Sequence, residues 1–298
     1  FSLAETSHSP VSLFLPETFR REDDVTYIEP FVGGGAMLFF MLQKYSNIKR
    51  AVVNDINPHL IKTYTVIRDE PFSLIDTLNE LQHTFKAFVE YDKQKDFYLD
   101  IRNRFNQATL SDVEEAAYMI FLNRTCFNGL YRENSKGGFN VPFGRYANPT
   151  ICDEELILAD SELLQKVELL NGDFSHTAEH VQGYTFFYFD PPYRPLDATS
   201  SFNSYVKESF DDNEQIRLKN FYSELSAGGC LAMLSNSDCK GRNTEDDFFD
   251  RLYQDFFIER VYAKRCINAN ATKRGTLTEL LIRNYANYQG EPSNLFNI

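Results

Sequence analysis

The chain has 298 residues, 43% of them apolar and 24% charged, an ordinary composition for one large globular α/β domain or a core with an inserted subdomain. No apolar run approaches the roughly 20 residues that cross a bilayer. The five cysteines (Cys126, Cys152, Cys230, Cys239 and Cys266) form no C-x-x-C pair, which speaks against structural zinc and for reduced, buried thiols in a cytoplasmic protein. The net charge of -13 argues against a phosphate-rich partner, but the positive residues are gathered. Residues 121–146 hold Arg124, Arg132, Lys136 and Arg145 against Glu133 alone, and residues 260–274 hold Arg260, Lys264, Arg265, Lys273 and Arg274 with no acid. Two basic islands in an acidic chain suit a local binding cleft.

In chain order, residues 25–31 form a short β-rich run that ends in Gly33-Gly34-Gly35, and a helix follows over 36–45. Residues 51–55 read as a second strand, and Asn57-Pro58 opens a helix that runs to about 68. The stretch 72–105 reads as mostly helical, 113–123 as an amphipathic helix, and 124–149 as hairpin and loop, because Gly, Asn and Pro alternate there with aromatics. Strands resume at 167–173 and 185–190, a helix at 212–226, a strand at 230–236, and two terminal strands at 257–265 and 278–285. Strands alternating with helices predict a largely parallel sheet. We therefore expect a sheet domain built from residues 1–59 and 166–298, interrupted by an insertion over 60–165.

The glycine turn between strand and helix lets the backbone pass close to a ligand, beside the free N–H groups of a helix N-terminus. Asp55 ends the next strand, twenty residues after Gly35, where nucleotide-binding α/β folds place an acid for ribose hydroxyls. The loop fits neither G-x-G-x-x-G nor a phosphate-cradling loop, since Met37 and Leu38 stand where the last glycine would be. In a parallel sheet the strand ends share an edge, so Glu29, Asp55, Asp173 and Asp190 should converge there. Four acids suit a cationic or hydroxyl-rich ligand and repel a polyphosphate; each could otherwise be a helix N-cap.

Asp190-Pro191-Pro192-Tyr193 follows the apolar run Thr185-Phe186-Phe187-Tyr188-Phe189. Two prolines cannot continue a hydrogen-bonded strand. They fix a rigid turn that offers the Asp190 carboxylate and the Pro191 carbonyl as acceptors, with the Tyr193 ring beside them. That set suits a planar exocyclic amine; the plainer alternative is a structural turn.

Residues 27–35 (Tyr-Ile-Glu-Pro-Phe-Val-Gly-Gly-Gly), Val53-Asn54-Asp55-Ile56-Asn57, Asn171-Gly172-Asp173-Phe174 and Asp190–Tyr193 resemble the ordered motifs of the α-class, Dam-type DNA adenine-N6 methyltransferases. The resemblance runs from about residue 17 to 285. The segments 123–132 and 139–145 resemble that family's target-recognition hairpin, and 265–267 through 279–282 its C-terminal hairpin.

The resemblance implies a Rossmann-like, S-adenosylmethionine-dependent methyltransferase fold with an inserted, mostly helical target-recognition domain. It implies an enzyme that methylates the N6 amine of adenine in a short duplex sequence, GATC first, after flipping the base. It further implies that Phe31, Gly33 and Gly35 hold the methionine end of the cofactor, Asp55 its ribose, and Asp173 and Phe174 its adenine. Asp190, Pro191 and Tyr193 would hold the flipped base. Phe127 and Asn128 would steady the opened duplex, Leu130, Arg132 and Pro142 would read neighbouring base pairs, and Arg124 and Arg145 would join them on the DNA. Double-stranded DNA is the implied partner, with a cognate restriction endonuclease left open as a counterpart in function, no stable protein partner, no metal and no membrane.

One departure stands out: the family's Lys-x-x-Gly-Gly-Lys-like opening has no counterpart, since the first lysine is Lys44 and residues 4–10 contain no glycine. Two alternatives stay open. One is methylation of another planar amine, in RNA or a protein glutamine; the other is a DNA-binding homologue with impaired catalysis.

Overall fold

The structure is a computed structural model and describes residues 14–107, 109–194, 210–263 and 277–286. Its centre is a seven-stranded sheet in the order β3-β2-β1-β4-β5-β7-β6. The strands are β1 (Val25–Glu29), β2 (Ile48–Asp55), β3 (Val167–Asn171), β4 (Tyr184–Phe189), β5 (Leu231–Ser237), β6 (Phe257–Ala263) and β7 (Leu277–Arg283). Strands β1 to β5 are parallel, whereas β7 runs antiparallel to both β5 and β6. This is the mixed, Rossmann-like sheet that the sequence leads one to expect.

Strand periodicity divides the sheet into two buried faces. Val25, Tyr27, Ala51, Val53, Phe186 and Tyr188 pack on one side, and Ile28, Val52, Phe187, Phe189, Ala232 and Leu234 on the other. Ten helices are described. They are α1 (Glu17–Arg21), α2 (Ala36–Lys44), α3 (Pro58–Asp69), α4 (Pro71–Ala87), α5 (Tyr91–Gln107), α6 (Asp112–Thr125), α7 (Glu154–Leu164), α8 (Asp212–Ala227), α9 (Cys239–Arg242) and α10 (Phe248–Leu252). The first face is covered by α2, α3 and α7, and its core continues without a gap into α4, α5 and α6 through Leu74, Phe85, Tyr98 and Phe121. The second face is covered by α8 and α10, through Leu218, Phe221, Tyr222 and Phe249.

Several boundaries differ from the sequence reading. The helical stretch 72–105 is two helices, broken where Phe88 turns extended and Val89 stands 90% exposed. Helix α7, which the sequence reading left unassigned, is capped by Asp153, whose carboxylate accepts the Leu156 N–H at 3.2 Å. Segment 124–149 is a hairpin only in outline. Antiparallel bridges join Cys126 to Phe143 and Glu133 to Phe139, but left-handed residues at Asn128, Gly129 and Gly137 interrupt the ladder.

Cys126, Cys152, Cys230 and Cys239 are free and buried, while Cys266 lies outside the described residues. Among the described residues no helix is long and apolar enough to cross a membrane.

Candidate active site

The four acids end neighbouring strands, so they stand in a row along one edge of the sheet, in the order Asp173, Asp55, Glu29, Asp190. Between β1 and α2 the chain turns on Gly33 and Gly35, with φ of 47° and 73°. At Gly35 a Cβ would lie 2.5 Å from the Tyr64 hydroxyl, which itself donates to the Gly33 carbonyl at 2.8 Å. Only glycine fits there. The Asp55 carboxylate accepts the Gly33 N–H at 3.0 Å and the Asn57 N–H at 2.9 Å, so it sets the loop as well as facing it. Burial raises its pKa above the ordinary carboxylate value, and these backbone bonds oppose the rise. Asn54 completes the loop anchor by donating to the Pro30 and Gly172 carbonyls, both at 3.0 Å. Next to Asp55, Ile56 is 65% exposed, an apolar surface that the sequence reading passed over.

Asp173 lies two residues beyond the end of β3 and caps the short turn after it, accepting the Ser175 N–H at 3.0 Å. Arg217 on α8 grips both of its oxygens, at 3.0 and 2.7 Å, and holds its carboxyl well below the usual range. The same guanidinium sits 4.0 Å from the centre of the Phe174 ring. Phe31 and Phe210 close the cluster, with ring centres 5.2 and 6.2 Å from Phe174. Sequence reading paired Asp173 with a ligand and had no view of Arg217, which reaches it from a distant helix.

The tetrapeptide emerges from the core at Phe189, which is fully buried, to Asp190, which is exposed. Its partners come from the end of β5, where Ser235, Asn236, Ser237 and Asp238 are all buried. The Tyr193 hydroxyl meets the Ser235 hydroxyl, which also donates to the Asp190 carboxylate at 3.3 Å. Gln215 donates to the Pro192 carbonyl at 3.1 Å and is held by Asn236 at 3.1 Å. Arg194 then locks the chain by pairing with Asp212 and Asp246, both at 2.7 Å. Burial pushes the Tyr193 hydroxyl upward, so it remains a neutral donor. Beneath this turn Glu29 is buried and bonded to the Tyr27 hydroxyl; burial, opposed by that bond, raises its pKa to about 8. The polar run Ser235–Asp238, closing an apolar strand, was the signal that would have found these partners.

Residues 123–145, expected from the resemblance to be a target-recognition segment, present a different surface. Phe127 and Leu130 are 53% and 48% exposed, and Asn128, Arg132, Pro142 and Arg145 are exposed as well. Asn128 adopts a left-handed φ of 58°, a conformation that asparagine tolerates better than most residues. Asn140 braces Arg132 from across the turn, accepting from Nε at 2.7 Å and Nη2 at 3.2 Å. Arg145 lies over the Tyr91 ring at 5.6 Å. Arg124 is different: it is half-buried at the end of α6, its Nε has no hydrogen-bond partner, and burial lowers its pKa. In the second basic island Arg260 is already committed to Asp238 and Asp250, and residues 264–274 lie outside the described residues. The described residues contain no cluster of metal-ligating side chains.

The family model for D12 class N6 adenine-specific DNA methyltransferases matches residues 13–267. The Type II methyltransferase M.MjaIII of Methanocaldococcus jannaschii is 47% identical over 274 residues, which span 91% of this chain and 92% of that protein. The Type II methyltransferase M1.LlaDCHI of Lactococcus lactis is 38% identical over 282 residues, spanning 93% and 90%. A DNA adenine methylase of Vibrio cholerae is 34% identical over 256 residues, spanning 85% of each. The chain belongs to the D12 class of N6 adenine-specific DNA methyltransferases.

Proposed function

We propose that this enzyme takes its methyl group from S-adenosylmethionine and places it on an adenine flipped out of a short duplex sequence, with GATC as the first candidate. The residues at the sheet edge fit that cofactor. Asp55 offers carboxylate oxygens beside an open glycine turn, Ile56 offers an exposed apolar face, and the exposed Asp190 suits a cationic ligand. Phe31, Gly33 and Gly35 would hold the methionine end, Asp55 the ribose, and Asp173 with Phe174 the adenine. Bound there, S-adenosylmethionine supplies a methyl on a positively charged sulfur, which an amine can displace directly.

The chain's own part is to make adenine N6 a usable nucleophile. Its lone pair is delocalised into the ring, and inside a duplex it is out of reach. Asp190 and the Pro191 carbonyl would accept the two N6 hydrogens and favour a pyramidal nitrogen. The Tyr193 ring would carry the base, fixed in place through Ser235. Positioning and electrostatics then supply the acceleration. Asp190, exposed to solvent, is also suited to pass on the proton that N6 sheds. At the recognition segment, exposed Leu130, Arg132 and Pro142 would read base edges, Phe127 and Asn128 would fill the opened duplex, and Arg124 and Arg145 would meet the backbone.

One observation carries this reading: an exposed carboxylate on a rigid Pro-Pro turn, linked through Ser235 to Tyr193, on the same edge as the Asp55 loop. Replacing Asp190 by Ala should cut methyl transfer by roughly 100-fold to 1000-fold or more, in the range of other lost transition-state partners. Its affinity for S-adenosylmethionine should stay within a few-fold of wild type. Single-turnover transfer of labelled methyl and calorimetric cofactor binding check both; unchanged turnover would sink the assignment.

A further inference from the structure

Asp173 has nearly all of its acceptor capacity in use. Its Oδ1 accepts the Ser175 N–H at 3.0 Å, the Ser175 hydroxyl at 2.5 Å and Arg217 Nη1 at 3.0 Å. Its Oδ2 accepts Arg217 Nη2 at 2.7 Å and, among the described residues, nothing else. An ionised carboxylate offers about four acceptor sites, two on each oxygen. Oδ1 is therefore full, whereas Oδ2 keeps room for one more donor, and the side chain is 36% exposed to admit it.

The two Ser175 bonds fix Oδ1 alone, and the torsion that turns an aspartate carboxyl is broad. Bonds from two nitrogens of a planar guanidinium to both oxygens set the carboxyl plane as well. The guanidinium is itself anchored. Glu214, one turn back on α8, accepts from Nε at 3.1 Å and from Nη2 at 2.7 Å, and the Phe174 ring lies 4.0 Å beneath the guanidinium. One side chain thus fixes an acceptor beside the Phe31, Phe174 and Phe210 cluster. An acceptor at an aromatic cluster suits a flat ring that carries an N–H donor.

We propose that Arg217 is a positioning residue for the adenine of the cofactor, holding Asp173 so that Oδ2 presents a single acceptor site to the 6-amino group. This rests on the reading of Asp173 and Phe174 as the adenine end of the cofactor site. Arg217 acts through Asp173, so its effect is confined to ligands that carry the amine.

The test uses the full chain and calorimetric Kd values for two ligands: S-adenosylhomocysteine, and its analogue with hydrogen in place of the 6-amino group. The wild type should prefer the amine-bearing ligand about 10-fold to 100-fold, the span of one hydrogen bond to a charged group. Arg217→Ala should cut that preference about 5-fold or more, with the analogue's Kd within about twofold of wild type and the melting temperature nearly unchanged. Arg217→Lys keeps the charge but not the two-pronged grip, and should fall between the two. On an Asp173→Ala background, Arg217→Ala should not change the preference further. Equal weakening of both ligands by Arg217→Ala would make its role structural, and tighter S-adenosylhomocysteine binding would make it a competitor for Asp173. Either result overturns the proposal.

Asp173→Ala separates this idea from the reading beneath it, since the preference should vanish there. Were it retained, Asp173 would not hold the amine, and both the reading and the proposal would fall. A preference lost in Asp173→Ala but kept in Arg217→Ala would leave the reading standing and remove Arg217 from it.

Discussion

The acid-lined sheet edge and the recognition segment are built on opposite principles. At the edge, each group sits where a buried strand ends, and the residues around it are already spent on holding it: Tyr64 on Gly33, Ser235 on Tyr193, Gln215 on Pro192. The segment 123–145 has two isolated bridges in place of a ladder and carries Phe127, Leu130, Arg132 and Arg145 outward. A reaction common to many sequences needs a fixed geometry, which a packed sheet supplies. A sequence preference needs exposed, replaceable side chains, which a loosely paired loop supplies at little cost to the fold.

Two substitutions should separate these roles, and the larger effect belongs to the edge. Ser235→Ala removes the link between Tyr193 and Asp190. It should lower kcat by about 10-fold to 100-fold, the scale set by small misplacement of reacting groups. It should do so on every DNA sequence alike, leaving the cofactor Kd and the ranking of sites unchanged. Kinetics on a panel of duplexes would show this; a changed ranking would mean that the edge also selects sequence. Arg132→Ala should do the reverse. Discrimination at one base pair should weaken by about 1–3 kcal/mol, while transfer from a saturating duplex falls little. Equal losses on cognate and altered duplexes would show that Arg132 meets only the backbone.

A smaller effect sharpens the contrast through pH. Glu29 is fully buried and its pKa is raised from 4.5 to about 8. The folded protein therefore keeps a proton that the unfolded chain gives up above about pH 4.5. Its stabilising contribution is complete below that value and is lost as pH rises toward 8. Glu29→Gln, which cannot ionise, should flatten the decline in melting temperature between pH 5 and pH 8. An identical slope in wild type and variant would place the titrating group elsewhere. Recognition-segment variants should leave the slope alone.

Much of the sheet edge was legible in the sequence because its signals are local. A glycine turn after an apolar strand, an acid twenty residues on, and two prolines ending a run of aromatics each announce their own geometry. What escaped depends on register and packing between distant segments. Ser235 reaches Tyr193 because β4 pairs with β5 at Phe189 and Leu234. Arg217 reaches Asp173 because α8 packs beside the end of β3. The half-buried state of Arg124 was equally hidden, because a charge at a helix end reads the same in sequence whether it faces water or core. The break between α4 and α5 carries neither glycine nor proline, the usual punctuation for such a stop.

The most direct test of the central claim is a map of adenine methylation in DNA from cells that express this chain, beside cells that express Asp190→Ala. The account expects N6-methyladenine confined to one short sequence with the wild-type chain, and none above background with the variant. Methylation that persists in Asp190→Ala, or a wild-type chain that leaves adenine unmodified, would contradict it.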